Sequence, residues 1–228
     1  MGGCQVLSGH YLTQLRAREK SARQALVTKT LRRPEEPMNR FANFVMFYLG
    51  WFACVAGAGR GALWAGPATV TVLLLAHLAL TSNRIREGVL ILVVGLFGFA
   101  VDTLQASTGL YAFSNTSMPP YLCPPWMAAL WMLFATTLNG SMDWLAGRQR
   151  LASLLGTVVG PLSYLAGERL GAIALSSDRV VSLFGIALVW ALVMPALLWI
   201  REALLDVGTR AAFGRPPKRL LGTDTCAS

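Results

Sequence analysis

The chain has 228 residues, of which 54% are hydrophobic and only 14% charged. A soluble domain carries about a quarter charged residues, so this composition disfavours a water-soluble enzyme, a disordered regulator or a coiled coil, and it suits a polytopic helical membrane protein. The net charge is +9, but the basic residues sit in tails and short links between apolar blocks, as topology signals do, and no basic soluble module exists to hold a nucleic acid.

Residues 1–37 are polar and basic, with Arg16, Arg18, Lys20, Arg23, Lys29, Arg32 and Arg33. No apolar stretch follows of the kind a secretory signal needs. Leu12, Leu15, Ala22 and Leu26 share about 80° of a helical wheel, a weak amphipathic pattern. Pro34 and Pro37 end any such helix. The expected division is a basic, disordered extension over 1–37, a transmembrane domain over 38–200 and a basic cytoplasmic tail over 201–228. Met38 also reads as a natural start, with the preceding stretch an extension of it.

Six apolar segments follow: Phe41–Ala58, Ala62–Thr81, Gly88–Gln105, Trp126–Leu145, Leu151–Leu175 and Val180–Ile200. Each is long enough to cross a hydrocarbon core of ~30 Å at ~1.5 Å per residue. A spanning chain must satisfy its own backbone, and the alternation of a β-barrel is absent. The predicted fold is therefore all-α, a six-helix transmembrane bundle. The long link 106–125 carries Pro119, Pro120, Pro124 and Pro125 with Tyr111 and Phe113. Its prolines preclude a regular helix, and its aromatics suit an interfacial lid. With both ends cytoplasmic, every Lys and Arg except Arg60, Arg169 and Arg179 falls on the inner side, a strong positive-inside bias.

Polar groups at membrane depth are costly, and are paired or functional. Depth and helical phase group them into two clusters. An outer one holds Asp102, Gln105, Tyr164, Glu168 and Arg169. An inner one holds Asn43, His77, Asn139 and Asp143. Asp102 and Glu168 are the candidate acid–base pair, because burial can raise one carboxyl so that it donates a proton. The alternative is structural: neutralising contacts of Arg169 with Asp102 or Glu168, an interfacial Asp143 near Arg148, and His77 as an interhelical donor. Gly156, Gly160, Gly167 and Gly171 form a stripe for close helix packing. Cys4, Cys54, Cys123 and Cys226 are scattered, and the histidines are His10 and His77. No metal, haem or disulfide pattern arises, and no cofactor is expected.

The run Asn43-Phe44 through Leu49-Gly50-Trp51-Phe52-Ala53-Cys54-Val55 carries a resemblance, together with Asp102, Trp126, Leu130-Trp131, Phe134-Ala135-Thr136-Thr137-Leu138 and Gly160-Pro161-Leu162-Ser163-Tyr164. These motifs, over roughly Met38 to Ile200, resemble the bacterial membrane family called domain of unknown function 2878. The resemblance implies a multi-pass protein of the bacterial inner membrane and, by association of such genes with lipid-modifying ones, lipid chemistry. A fainter similarity links Asp102, Thr108 to Phe113 and Pro124-Pro125-Trp126 with small membrane carotenoid cyclases and hydratases. Their Pro-x-Glu-Glu motif is absent, since Trp126-Met127-Ala128 follows Pro125.

Three functions compete. The first is an accessory or transport-type membrane component linked to lipid metabolism, with membrane lipids and other membrane proteins as partners. The second is a lipid- or isoprenoid-modifying enzyme built on Asp102 and Glu168. The third is a structural scaffold. A shared apolar cavity between the two carboxyls favours the enzyme, and a closed bundle favours the scaffold.

Overall fold

The computed structural model describes residues 39–213, with side chains to residue 205. The expectations for the N-terminal extension and for the tail beyond residue 213 lie outside the described residues. Six α-helices and two short strands follow in chain order: α1 Arg40–Gly59, α2 Ala65–Leu80, α3 Arg84–Ser107, β1 Tyr111–Phe113, α4 Pro125–Leu138, a 3-10 turn Asp143–Leu145, α5 Gln149–Arg169, β2 Ile173–Leu175 and α6 Arg179–Phe213.

Local signals set the starts. Asn39 accepts from the Phe41 amide and Asn83 from the Arg86 amide, so each side chain caps a helix otherwise left with free N–H groups. Asp178 accepts from Val180 and Val181 and does the same for α6. Pro125 occupies the first turn of α4, where no amide partner is lost.

The core is apolar, with Trp126, Leu133 and Leu138 fully buried, but polar groups are buried within it and large apolar side chains cover the surface. Asn43, His77, Glu87, Asp102, Gln105, Thr136, Thr137 and Arg201 are buried, whereas Leu80, Val180 and Leu192 are more than 70% exposed. Large apolar surface of this extent needs an apolar surrounding. Three helices, Arg40–Gly59, Arg84–Ser107 and the α6 stretch Arg179–Leu205, are long and apolar enough to cross a membrane, and α2 and α4 are shorter apolar helices. This is the pattern of a multi-pass membrane protein.

Three boundaries differ from the sequence reading. The fourth segment was expected to run to Leu145, but α4 stops at Leu138. Asn139 caps it, and Gly140 packs so closely on Asn43 that a Cβ there would lie 2.5 Å from Oδ1. The apolar Met142, Trp144 and Leu145 continue past the break, so hydropathy does not register it. The fifth segment was expected to be helical to Leu175, but α5 ends at Arg169. Gly171 at φ +79° turns the chain into β2, a conformation other residues adopt only at a cost. The sixth helix runs on to Phe213 rather than ending at Ile200.

The link after α3 is also not without regular structure, so the bundle is not purely α-helical. β1 pairs antiparallel with β2, with Tyr111 opposite Leu175, Ala112 opposite Ala174 and Phe113 opposite Ile173. Three residues per strand are enough for the pairing, since the prolines lie beyond them. The hairpin of α5 and α6 is tightened by two glycines. A Cβ on Gly160 would lie 2.7 Å from the Trp190 Cβ, and one on Gly156 would lie 2.7 Å from Met194 Cγ. Helices in lipid associate through such close packing, because burial against lipid tails offers little hydrophobic gain.

Candidate functional site

A cavity of about 850 Å³ lies between α1, α4 and α5, with Trp190 of α6 in its wall. Five of the seven tryptophans line it: Trp51, Trp126, Trp131, Trp144 and Trp190. Phe44, Tyr48 and Phe52 line it from α1, and Val159 and Leu162 from α5. These five are each 43–58% exposed, so the cavity opens sideways through a slot between α1 and α5. The residues alternate by one helical turn on α1, which puts all three rings on one edge of the slot.

One end of the slot is closed. α1 and the turn after α5 approach so closely that a Cβ on Gly59 would overlap the Leu170 carbonyl. Asn115 crosses this junction. Its Nδ2 lies 3.2 Å from Ala58 O and Gly59 O and 3.3 Å from Gly171 O. Asn115 holds φ +52° to do so, a left-handed conformation that asparagine tolerates better than most residues.

Two cavity residues are fixed from behind by one carboxyl group. Asp102 of α3 is fully buried. Its Oδ2 accepts from Trp131 Nε1 at 2.5 Å, and its Oδ1 accepts from the Tyr111 hydroxyl at 2.7 Å and from the Tyr164 hydroxyl. Three neutral donors thus converge on two oxygens, with no cation among them. The phenol rings of Tyr111 and Tyr164 pack with centroids 4.9 Å apart, and Trp131 stacks on Trp190 at 5.3 Å. Asp102 itself does not line the cavity, whereas Trp131 and Tyr164 do. Burial, and after it the charge of Asp102, pushes the Tyr111 hydroxyl well above the ordinary tyrosine value of 10.0. The same two causes raise the Cys123 thiol.

The outer cluster drawn from sequence is divided in the structure. Tyr164 joins Asp102 directly. Gln105 is buried three residues further along α3, and neither of its amide atoms has a hydrogen-bond partner. Glu168 shares no partner with Asp102. It accepts from the Leu175 amide at 3.4 Å and pairs with Arg179 at 3.5 Å. Neither carboxyl lines the cavity. Arg169 contacts neither of them as an ion pair and instead sits at the cavity rim. A step of 100° between neighbours on a helix separates it from Glu168.

The inner cluster is larger than expected. His77 Nε2 meets Glu87 Oε1 at 3.0 Å, and Asn139 Nδ2 donates to Glu87 Oε2 at 2.9 Å. Arg201 Nε donates to Asn139 Oδ1 at 2.7 Å and pairs with Asp143, which also holds Arg40 at 3.3 Å. Asn43 stands apart from this chain, bonded to Thr136 and to the Ser141 amide at 2.9 Å. Glu87 and Arg201 were missed because charged residues flanking apolar blocks read as topology signals. Trp131 and Tyr111 were missed as partners of Asp102. One signal does point to Trp131: a Cβ on Gly98 would overlap its ring, so the glycine face of α3 marks where the indole lies.

Of the helix-packing glycines, Gly156 and Gly160 pack on α6, Gly167 faces Ile173, and Gly171 lies in the turn outside the helix. Among the described residues no group of acidic, histidine or cysteine side chains is arranged to hold a metal ion.

The chain belongs to the family described as protein of unknown function (DUF2878), which matches residues 40–196. The match covers α1 to about the middle of α6 and includes every cavity residue named above. No curated protein and no solved structure matches the chain. The similarity to carotenoid cyclases finds no support in these comparisons. Kinship within this family carries no assigned activity.

Proposed function

We propose that the protein is a six-span membrane component that takes a lipid hydrocarbon chain into its aromatic cavity, serving membrane lipid metabolism in an accessory or transport role rather than as a catalyst. The observation that carries this reading is the lateral slot. An apolar cavity that opens between two helices toward the surface expected to face lipid is supplied from the bilayer. α2 and α4, ~24 Å and ~21 Å long, are short for a ~30 Å core, and the polar turn after α4 and the link before α3 are read as lying at its inner boundary. The basic residues support cytoplasmic termini and a bacterial inner-membrane location.

The enzymatic reading has less support. It needs an acid and a base in reach of one substrate, and Asp102 and Glu168 have separate partners away from the cavity wall. A pure scaffold does not require a cavity of this size.

Two measurements test the proposal. The protein purified in a mild detergent should retain bound lipid by native mass spectrometry. A deletion strain should differ from its parent in lipid composition. A lipid-free protein together with an unchanged lipidome would overturn the reading.

A further inference from the structure

We infer that the cavity accepts an anionic amphiphile, its hydrocarbon chain between α1 and α5 and its phosphate or carboxylate head on Arg169. The inference rests on the lipid-binding reading above and adds the charge of the ligand. Arg169 is exposed and lines the cavity at the C-terminal end of α5, beside Leu170. Its natural partners at that end are already engaged. Glu168 is held by Arg179 and the Leu175 amide, and Asp178 is turned onto the first amides of α6. Arg60, at the same end, donates to Ala56 O. A guanidinium therefore stands at the rim of an apolar cavity with no carboxylate opposite it among the described residues.

That combination is selective. A chain without a charged head would fill the cavity and leave Arg169 to water. A small anion would meet one exposed arginine and gain little. An amphiphile satisfies both, and the planar guanidinium can engage two oxygens of one head group. The cavity walls run from Phe44 to Val55 on α1 and from Leu155 to Arg169 on α5, ~16 Å and ~21 Å of helix. This is comparable to the ~15 Å of one leaflet, so a chain anchored at Arg169 can lie along the cavity rather than across it.

The tryptophans supply the readout. The full chain in nonionic detergent is titrated with phosphatidylglycerol or phosphatidylcholine carrying brominated chains, which quench indole fluorescence on contact. Phosphatidylglycerol should bind about tenfold more tightly, the scale of one charge-assisted contact. Arg169→Gln should bring its affinity down to that of phosphatidylcholine, and Arg169→Lys should restore part of the difference. Equal quenching by both lipids, unmoved by Arg169→Gln, would overturn the anionic preference while leaving the lipid cavity intact. Absence of quenching by either would overturn the lipid cavity itself. If soluble glycerol phosphate abolishes the preference while phosphatidylcholine quenching persists, the rim serves a free anion and the amphiphile is overturned.

Discussion

Asp102 shows what one buried carboxyl can organise. Its two oxygens receive three hydrogen bonds, from Tyr111, Tyr164 and Trp131, and two of those donors form cavity wall. Asp102→Asn preserves shape but turns an amide N–H toward one of these donors. It should lower stability by roughly 2–3 kcal/mol, read as a lower thermal midpoint in detergent, with the indole environment of Trp131 altered. An unchanged midpoint would mean that the three bonds are not jointly made. Tyr111 gives a pH test. Its proton is held above the usual range in the folded protein, so its contribution is complete below pH ~10 and drains away as the pH rises toward the raised value. Alkaline destabilisation should begin above pH ~10 and be less steep in Tyr111→Phe, which starts about 1 kcal/mol lower. Parallel pH curves for the two proteins would contradict this.

The helix α5 shows how far sequence reaches at the scale of an element. Its glycines were legible as a packing stripe, because small residues at helical spacing have few other uses in a membrane. Their partner was not legible, since no local rule says which neighbouring helix supplies the bulk that fills the groove. Here Trp190 and Met194 do so. Gly160→Leu should therefore force α5 from α6 and cost about 2 kcal/mol or more, whereas Leu192→Ile on the exposed face of α6 should be mild. Equal thermal midpoints would remove Gly160 from the packing of the hairpin. The end of α5 was misread for a related reason. Apolar composition continues through Ile173 and Leu175, and only the backbone at Gly171 discloses the turn. Gly171→Ala should cost ~1 kcal/mol or more through its left-handed φ.

At the scale of the molecule, the sequence pattern conveyed the placing of apolar blocks and the burial of Asn43, His77 and Asp102, because charge is expensive in lipid wherever the helices go. It did not convey the chain of partners from His77 through Glu87, Asn139 and Arg201 to Asp143, which depends on α2, α3, the end of α4, α6 and the 3-10 turn meeting. Nor did it disclose the cavity, since aromatic residues packed on one another and aromatic residues lining a space have the same composition. The proposed orientation has a direct test. Alkaline phosphatase fused after Asn115 should be active and fused after Arg148 inactive, because basic links are retained on the cytoplasmic side. The reverse pattern would invert the protein in the membrane.

The junction at Asn115 has a consequence for what the cavity can measure. α1 packs with α2 and α4, α5 packs with α6, and α1 and α5 touch where Asn115 binds Ala58, Gly59 and Gly171. The same two halves are tied at other depths as well: Tyr164 of α5 donates to Asp102 of α3, Trp190 of α6 stacks on Trp131 of α4, and Arg201 of α6 bonds Asn139 and Asp143. Walls tied at several heights act as a gauge of fixed bore, because close-packed interfaces yield little. Under the proposed lipid binding, the gauge tests girth as well as reach. Branched chains and lengthened chains should both compete poorly with straight chains of matching length, and equal competition by branched chains would show that the walls part. Asn115→Ala removes one tie of several and should leave this discrimination largely in place.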